Sequence, residues 1–235
     1  MTASDFIIQF DLLYNNLNSD KAPEINDYEK SFLLTLAQEQ IVSELYNKSF
    51  EVSEMTRRAL DVLVTQGNGE RIDDGGILPD SWQHSKWQID DDVWWMIYET
   101  AKIEDPLACN DGKWVDVKPE LHDEYLRDKE NPFRGPSKKR VLRLDTGFDG
   151  QVELVSKYKL SEYVYRYVRR PKPILVCDFT QGELAEYDIN IRGSVEFNAD
   201  KPCELSETIQ NEILIRAVSL AKVSYNAGLN QQNKQ

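Results

Sequence analysis

Two histidines, a run of aspartates and a scatter of tryptophans are the residues that could do chemistry in this 235-residue chain. His84 and His122 are not at metal-ligand spacing from one another, so an imidazole-bound zinc or iron is not expected. His122-Asp123-Glu124 strings three polar side chains together, but consecutive residues do not converge on one point. The acid run Asp90-Asp91-Asp92 is more suggestive when set beside Val115-Asp116-Val117-Lys118. An acid two positions before a lysine on a strand, with a carboxylate upstream, could hold Mg²⁺ and position a nucleophile. That would make a metal-dependent nuclease built on Asp92, Asp116 and Lys118. The same residues read as a plain strand ending at Pro119, and a net charge of −13 leaves little basic surface for a nucleic-acid substrate.

Aromatic residues offer a second chemistry. Five Trp and eleven Tyr could serve a carbohydrate-binding sheet, since a ring face stacks on a sugar, or could simply be core and subunit-interface residues. No Gly-x-Ser-x-Gly, P-loop or Gly-x-Gly-x-x-Gly is present, and Gly75-Gly76 sits among acids that would repel phosphate. Cys109, Cys177 and Cys203 are scattered and odd in number, which fits a reducing compartment and argues against disulfides and structural zinc. No cofactor and no metal are expected, and no apolar run has the length of a membrane span.

The charge is uneven. Between Lys138 and Lys172 ten Lys/Arg face four Asp/Glu, an excess of +6, so the remainder carries −19. This segment is either one solvated basic face of an antiparallel sheet or a patch that meets an acidic neighbour.

The elements follow from period. Ser4 is the expected cap of a first helix with Phe6, Ile7, Phe10, Leu13, Tyr14 and Leu17 along it. Asn26 and Glu29 form a capping box for a long helix to Tyr46, with a stripe of Tyr28, Phe32, Leu33, Leu36, Ala37, Ile41 and Leu45. A third helix is expected from Ser53 to about Val64, ended by a glycine-rich loop, Gln66 to Gly76. Strands are expected at Trp87–Ile89, Val93–Glu99, Trp114–Val117, Arg140–Leu144, Gln151–Val155 and Tyr163–Arg169, with a helical turn in Glu120–Asp128. Ile174–Phe179 reads as a buried strand, and Glu183–Phe197 as a closing hairpin around Arg192-Gly193. A last helix runs from Ser206 to about Asn226 with Leu205, Ile209, Ile213, Leu214, Ala217, Val218, Ala221 and Tyr225 on one stripe, capped by Gly228.

Each helix has one apolar stripe to bury, so the last is expected to return to the first three. The fold class is therefore α+β: a helical bundle of N-terminal and C-terminal helices, interrupted by a strand-rich, mainly antiparallel inserted domain. Its expected divisions are 1–68 plus 203–228 for the bundle, 69–202 for the insert, and a flexible tail at 229–235.

Four segments, YEKSFLLTLAQEQIVSELY, NPFRGPSKKRVLRL, YVYRYVRRPKPILV and CELSETIQNEILIRAVSLAKVSY, resemble in order and spacing a virion structural protein of crAss-like and related short-tailed bacteriophages. YRYVRRPKPI ahead of a long closing helix is also similar to the gatekeeper (tail tubular A) adaptors of short-tailed phages. The resemblance implies a non-catalytic ring or adaptor protein below the portal, in the virion at the portal-tail junction and in the host cytoplasm during assembly. It implies a homo-oligomeric, twelve-fold ring, with the portal protein and other tail or ring proteins as partners. Double-stranded DNA would pass through the channel without specific binding. A ring subunit needs two unlike faces, and the basic segment against an acidic remainder supplies them. The candidate subunit or portal contacts are Lys138, Lys139, Arg140, Arg166, Arg169, Arg170, Glu212 and Arg216.

Overall fold

Residues 1–15, 24–48, 58, 60–73, 82–106, 110–147, 150–178 and 196–232 are described by the computed structural model. The chain divides into two compact units, Met1–Val62 with Pro171–Gln235, and Leu63–Arg170. Among the described residues there are four helices and eight strands, so the class is α+β and the layout strand-rich. The unit boundaries fall at 62/63 and 170/171.

The first unit holds α1 (Ala3–Asn15), α2 (Asp27–Lys48) and α4 (Glu207–Gln232). Asn26 gives its N–H to Glu29 Oε2 at 3.1 Å and accepts that of Glu29 on Oδ1 at 2.8 Å, the capping box expected for α2. The start of α1 differs from expectation. Thr2, not Ser4, is the cap, exchanging hydrogen bonds with Asp5.

Helix α4 packs on α1 and α2. The expected stripe is buried at Leu205, just ahead of the helix, and at Ile209, Ile213, Leu214, Ala217, Val218 and Ala221, with Gln210 buried beside it; the expected Tyr225 side chain lies outside the described residues. The helix runs through Gly228 to Gln232 instead of stopping there. The buried face of α2 is rotated from the expected stripe. Leu34, Ala37, Ile41 and Val42 are inside, and Phe32 is 52% exposed.

The rotation has a polar cause. Ser31, Thr35 and Gln38 also face inward, because the chain after Pro171 runs extended along α2. Thr35 Oγ1 accepts the N–H of Ile174 at 3.1 Å, Ser31 Oγ that of Val176 at 3.1 Å, and Gln38 Nε2 donates to the Lys172 carbonyl at 2.8 Å. Four residues of helix rise about 6 Å and two of extended chain about 6.6 Å, so a row of helix side chains can pair with alternate peptides. The apolar run Ile174–Val176 is thus buried as expected but is not a strand. Its backbone is satisfied by side chains of α2. The rest of the expected closing hairpin and most of the expected third helix lie outside the described residues; Arg58 and Leu60 are helical and Asp61–Leu63 forms a 3₁₀ turn.

The second unit is one eight-stranded sheet in the order β1-β8-β4-β5-β6-β7-β3-β2. The strands are β1 (Val64–Asn68), β2 (Glu70–Asp73), β3 (Gln83–Gln88), β4 (Val93–Ile103), β5 (Trp114–Pro119), β6 (Arg140–Asp145), β7 (Gln151–Ser156) and β8 (Leu160–Arg169). Pairing is antiparallel except for β5 with β6, joined through α3 (His122–Asp128). The region expected to be a glycine-rich loop therefore contains β1 and β2. These lie at the two edges of the sheet, yet only Gly69 separates them. Edges two peptide steps apart must meet, since each step covers 3.8 Å at most. The sheet therefore curls until it closes.

Glycine is required at that corner. A Cβ on Gly67 would lie 2.4 Å from the Tyr165 ring, and one on Gly69 2.5 Å from the Tyr163 ring. The interior is filled by Trp87, Tyr163, Tyr165, Leu154, Leu160 and their neighbours, as a small closed sheet requires. Tyr125 of α3 covers Leu142, Leu144 and Val155 on the outer face.

Candidate functional site

The ladder of pairs fixes where each candidate residue stands. Arg140 pairs with Asp116, Asp116 with Thr100, and Thr100 with Val164. Arg140 is therefore level with Val164, and Arg169 lies five residues further along β8. Three strand spacings across and five residues along place Arg140 and Arg169 on the order of 20 Å apart. The basic segment does not form one face. Lys138, Lys139 and Arg140 cluster at the start of β6, with both lysines exposed. Arg166, Arg169 and Arg170 lie at the far end of β8 and just beyond it.

In the first unit Glu212 and Arg216 line a surface groove of α2 and α4 with Ile41, Glu44, Leu45, Ile215 and Ser219. There Arg216 binds Glu44 in a fork, at 2.8 and 3.2 Å, a geometry that fixes the guanidinium plane.

The nuclease constellation is not assembled. The Asp92 carbonyl accepts the N–H of Arg170 at 2.9 Å, so Asp92 is level with Arg170. Asp116 is level with Val164, about 20 Å back along the strands. The Asp92 carboxylate is already engaged by the Tyr167 hydroxyl at 2.8 Å. No cluster of three potential metal ligands occurs among the described residues.

A several-ring sugar platform is not assembled either. Trp87 is buried and Trp82 packs on the cluster under α3. A register shift between Val93 and Trp95 turns Trp94 and Trp95 to one side. Their rings stack at 4.0 Å, with Arg170 over Trp94. Trp114 stands apart, half exposed, with Lys102 over its ring.

What the sequence did not reveal is the use made of alternate tyrosines on β8. Tyr163, Tyr165 and Tyr167 stack inside the sheet with centroids 5.2 and 5.5 Å apart. Their hydroxyls reach carboxylates from other strands and turns. Tyr163 donates to Glu99 at 2.6 Å, Tyr165 to Asp90 at 2.9 Å, and Tyr167 to Asp92. Arg143 completes the inner group at 3.2 Å from Glu99. Burial raises the Glu99 carboxyl above its ordinary range, against the pull of Arg143 and the Tyr163 hydrogen bond. Burial and the adjacent Glu99 charge keep the Tyr163 phenol protonated. Burial also pushes the Cys203 thiol up to about 11, so it is no ready nucleophile. The three tyrosine hydroxyls and the carboxylates they reach are engaged with one another inside the sheet.

What remains is a chain that carries its distinctive chemistry on its surface, in separated charged patches. Over residues 1–233 it matches the phage tail ring protein 3/4 family. The chain belongs to that family. It is 38% identical to Ring protein 3 of Bacteroides phage crAss001, over 95% of this chain and 96% of that one. It is also 31% identical to Ring protein 4/5 of the same phage, over 97% and 95% of the respective chains. Membership of the ring protein family makes it a phage structural protein, and among its described residues no helix is long and apolar enough to cross a membrane.

Proposed function

We propose that the chain is a non-catalytic adaptor that forms a closed, twelve-membered ring in the portal-tail assembly of a short-tailed phage. The observation that carries this reading is the match to ring proteins over almost the whole chain. Two ring proteins of one phage resemble this chain along almost their whole lengths, so the rings of such a stack are variations on one subunit. The portal protein and neighbouring rings are its partners. The helices of the first unit form the bundle, and the closed sheet is the inserted body.

Lys138, Lys139, Arg140, Arg166, Arg169 and Arg170 are contacts to acidic surfaces of adjoining subunits, and Glu212 and Arg216 are contacts on the groove of α2 and α4. A channel lined by the acidic remainder lets packaged DNA slide, since phosphates find few cations to release condensed ions against. Electron micrographs of the purified chain and of the virion neck test this. Twelve-fold rings at the portal-tail junction, and no retention of double-stranded DNA at physiological salt, are expected. A globular monomer placed elsewhere in the virion, or Mg²⁺-dependent DNA cleavage abolished by Asp116→Ala, overturns it.

A further inference from the structure

The interior of the sheet holds groups that packing alone does not call for. Tyr163, Tyr165 and Tyr167 stand where phenylalanine would fill the space without a buried hydroxyl to satisfy. Each hydroxyl is aimed at a carboxylate: Glu99 at 2.6 Å, Asp90 at 2.9 Å and Asp92 at 2.8 Å, with a second bond from Tyr167 to Asp90 at 3.2 Å. Trp87 continues the stack at its inner end, its ring centroid 5.9 Å from that of Tyr163. The two tyrosine steps are 5.2 and 5.5 Å. Four readily oxidised rings therefore touch in a row.

Electron exchange falls steeply with distance, so rings in contact are suited to passing an electron along. Burial raises all three phenols above their ordinary range, so each keeps its proton at rest. A phenol that gives up an electron becomes a strong acid and must shed that proton at once. Here each has a carboxylate to take it.

The row also has a direction. At the inner end Arg71 lies over Trp87, 5.7 Å from the ring centroid, and its charge disfavours a positive indole. The indole N–H donates to the Ser85 hydroxyl at 2.9 Å, a poor base. A proton placed on the buried Glu99 would leave Arg143 uncompensated inside the sheet. Asp90 and Asp92 are exposed, so a proton they take passes on to water. An electron vacancy is thus pushed from Trp87 and Tyr163 toward Tyr165 and Tyr167.

We propose that Trp87, Tyr163, Tyr165 and Tyr167 form a relay that carries oxidising equivalents out of the sheet and protects its core from one-electron oxidants. The inference goes beyond the ring-forming reading and does not depend on it. The oxidant takes one electron from Trp87. Tyr163 returns that electron and gives its proton to Glu99, leaving a phenoxyl radical. At each later step the next phenol gives one electron to the phenoxyl before it and its proton to its own carboxylate, while the reduced phenol recovers its proton. At Tyr167 a thiolate outside the protein supplies the last electron and becomes a thiyl radical, and Asp92 returns the proton.

Ultraviolet photo-oxidation of the full chain, with persulfate as the electron acceptor, tests it. Radicals are read by electron paramagnetic resonance and products by peptide mass mapping, with near-ultraviolet circular dichroism checking that the stack is kept. The unaltered chain is expected to give a tyrosyl signal that Tyr167→Phe diminishes, with Trp87 left largely unmodified. Tyr165→Phe keeps the ring and removes the middle hydroxyl, so the vacancy stalls and Trp87 is expected to become N-formylkynurenine. Asp90→Asn combined with Asp92→Asn keeps the hydrogen-bond acceptors and removes the bases, and is expected to expose Trp87 in the same way. A merely structural stack would not respond to that exchange. If Trp87 is modified equally in the unaltered chain and in both of these variants, the relay is overturned. A tyrosyl signal unchanged by Tyr167→Phe overturns it as well. Either result leaves the ring reading untouched.

Discussion

The two units differ in what their main group of buried polar side chains does. In the helical unit a row of neutral inward groups serves the backbone: Ser31, Thr35 and Gln38 satisfy the peptides of an extended segment more than 130 residues away, while the buried Lys30 pairs with the half-exposed Asp11 and Asp27. In the sheet unit the main group is charged and its members serve each other, with Glu99 held by Arg143 and Tyr163. The charge balance differs as well. The helical unit has 11 Lys/Arg against 20 Asp/Glu, a net −9, and the sheet unit 17 against 21, a net −4. The sheet unit is thus nearer to neutral outside while holding its ions inside. A neutral hydrogen bond can be lost at modest cost, but an ion left without its partner in the interior cannot.

That contrast predicts where the chain is most fragile. Arg143→Ala leaves Glu99 buried and uncompensated, and is expected to cost about 3–5 kcal/mol in denaturant unfolding. Adding Glu99→Gln should recover much of the loss, because the stranded charge is gone; no recovery would mean that Arg143 acts by packing alone. In the helical unit Thr35→Val keeps the shape and removes the acceptor for the Ile174 N–H, for an expected loss of about 1–3 kcal/mol. A Thr35→Val loss equal to that of Arg143→Ala would erase the contrast between the units.

The smallest effect is one of pH. His84 holds the Glu153 carboxyl below its ordinary 4.5 by a hydrogen bond of 2.8 Å. A carboxyl lowered in the folded state contributes stability that is complete above its unfolded value and lost as pH falls through the folded one. Unfolding midpoints measured from about pH 5 down to 3 should therefore decline less steeply in Glu153→Gln than in the unaltered chain.

Much of this was legible in the sequence, and the failures share a cause. The α4 stripe, the Asn26–Glu29 box and six of the eight strands follow from period and local hydrogen bonding alone. Gln66–Asp73 did not, because Gly67 and Gly69 serve not a turn but the close approach of Tyr165 and Tyr163 rings from a strand about 100 residues on. Ile174–Val176 has the composition of a strand and finds its partners on a helix. The basic segment looked continuous because positions along β6 and β8 are near in sequence, yet two strands lie between them. The family resemblance reached the ring role from four segments, while the exposed Leu126 and Phe133 carry no sequence pattern that separates them from core residues.

Gly69 has a further consequence. The sheet is sealed by a single residue, so unzipping has a preferred starting place there, far from the broad pairing of β4 with β8. Amide exchange should therefore be fastest along Val64–Asp73 and slowest along those two long strands. Because β1 and β2 follow one another through Gly69, the two borders of the sheet come together in one place instead of lying at opposite ends of it.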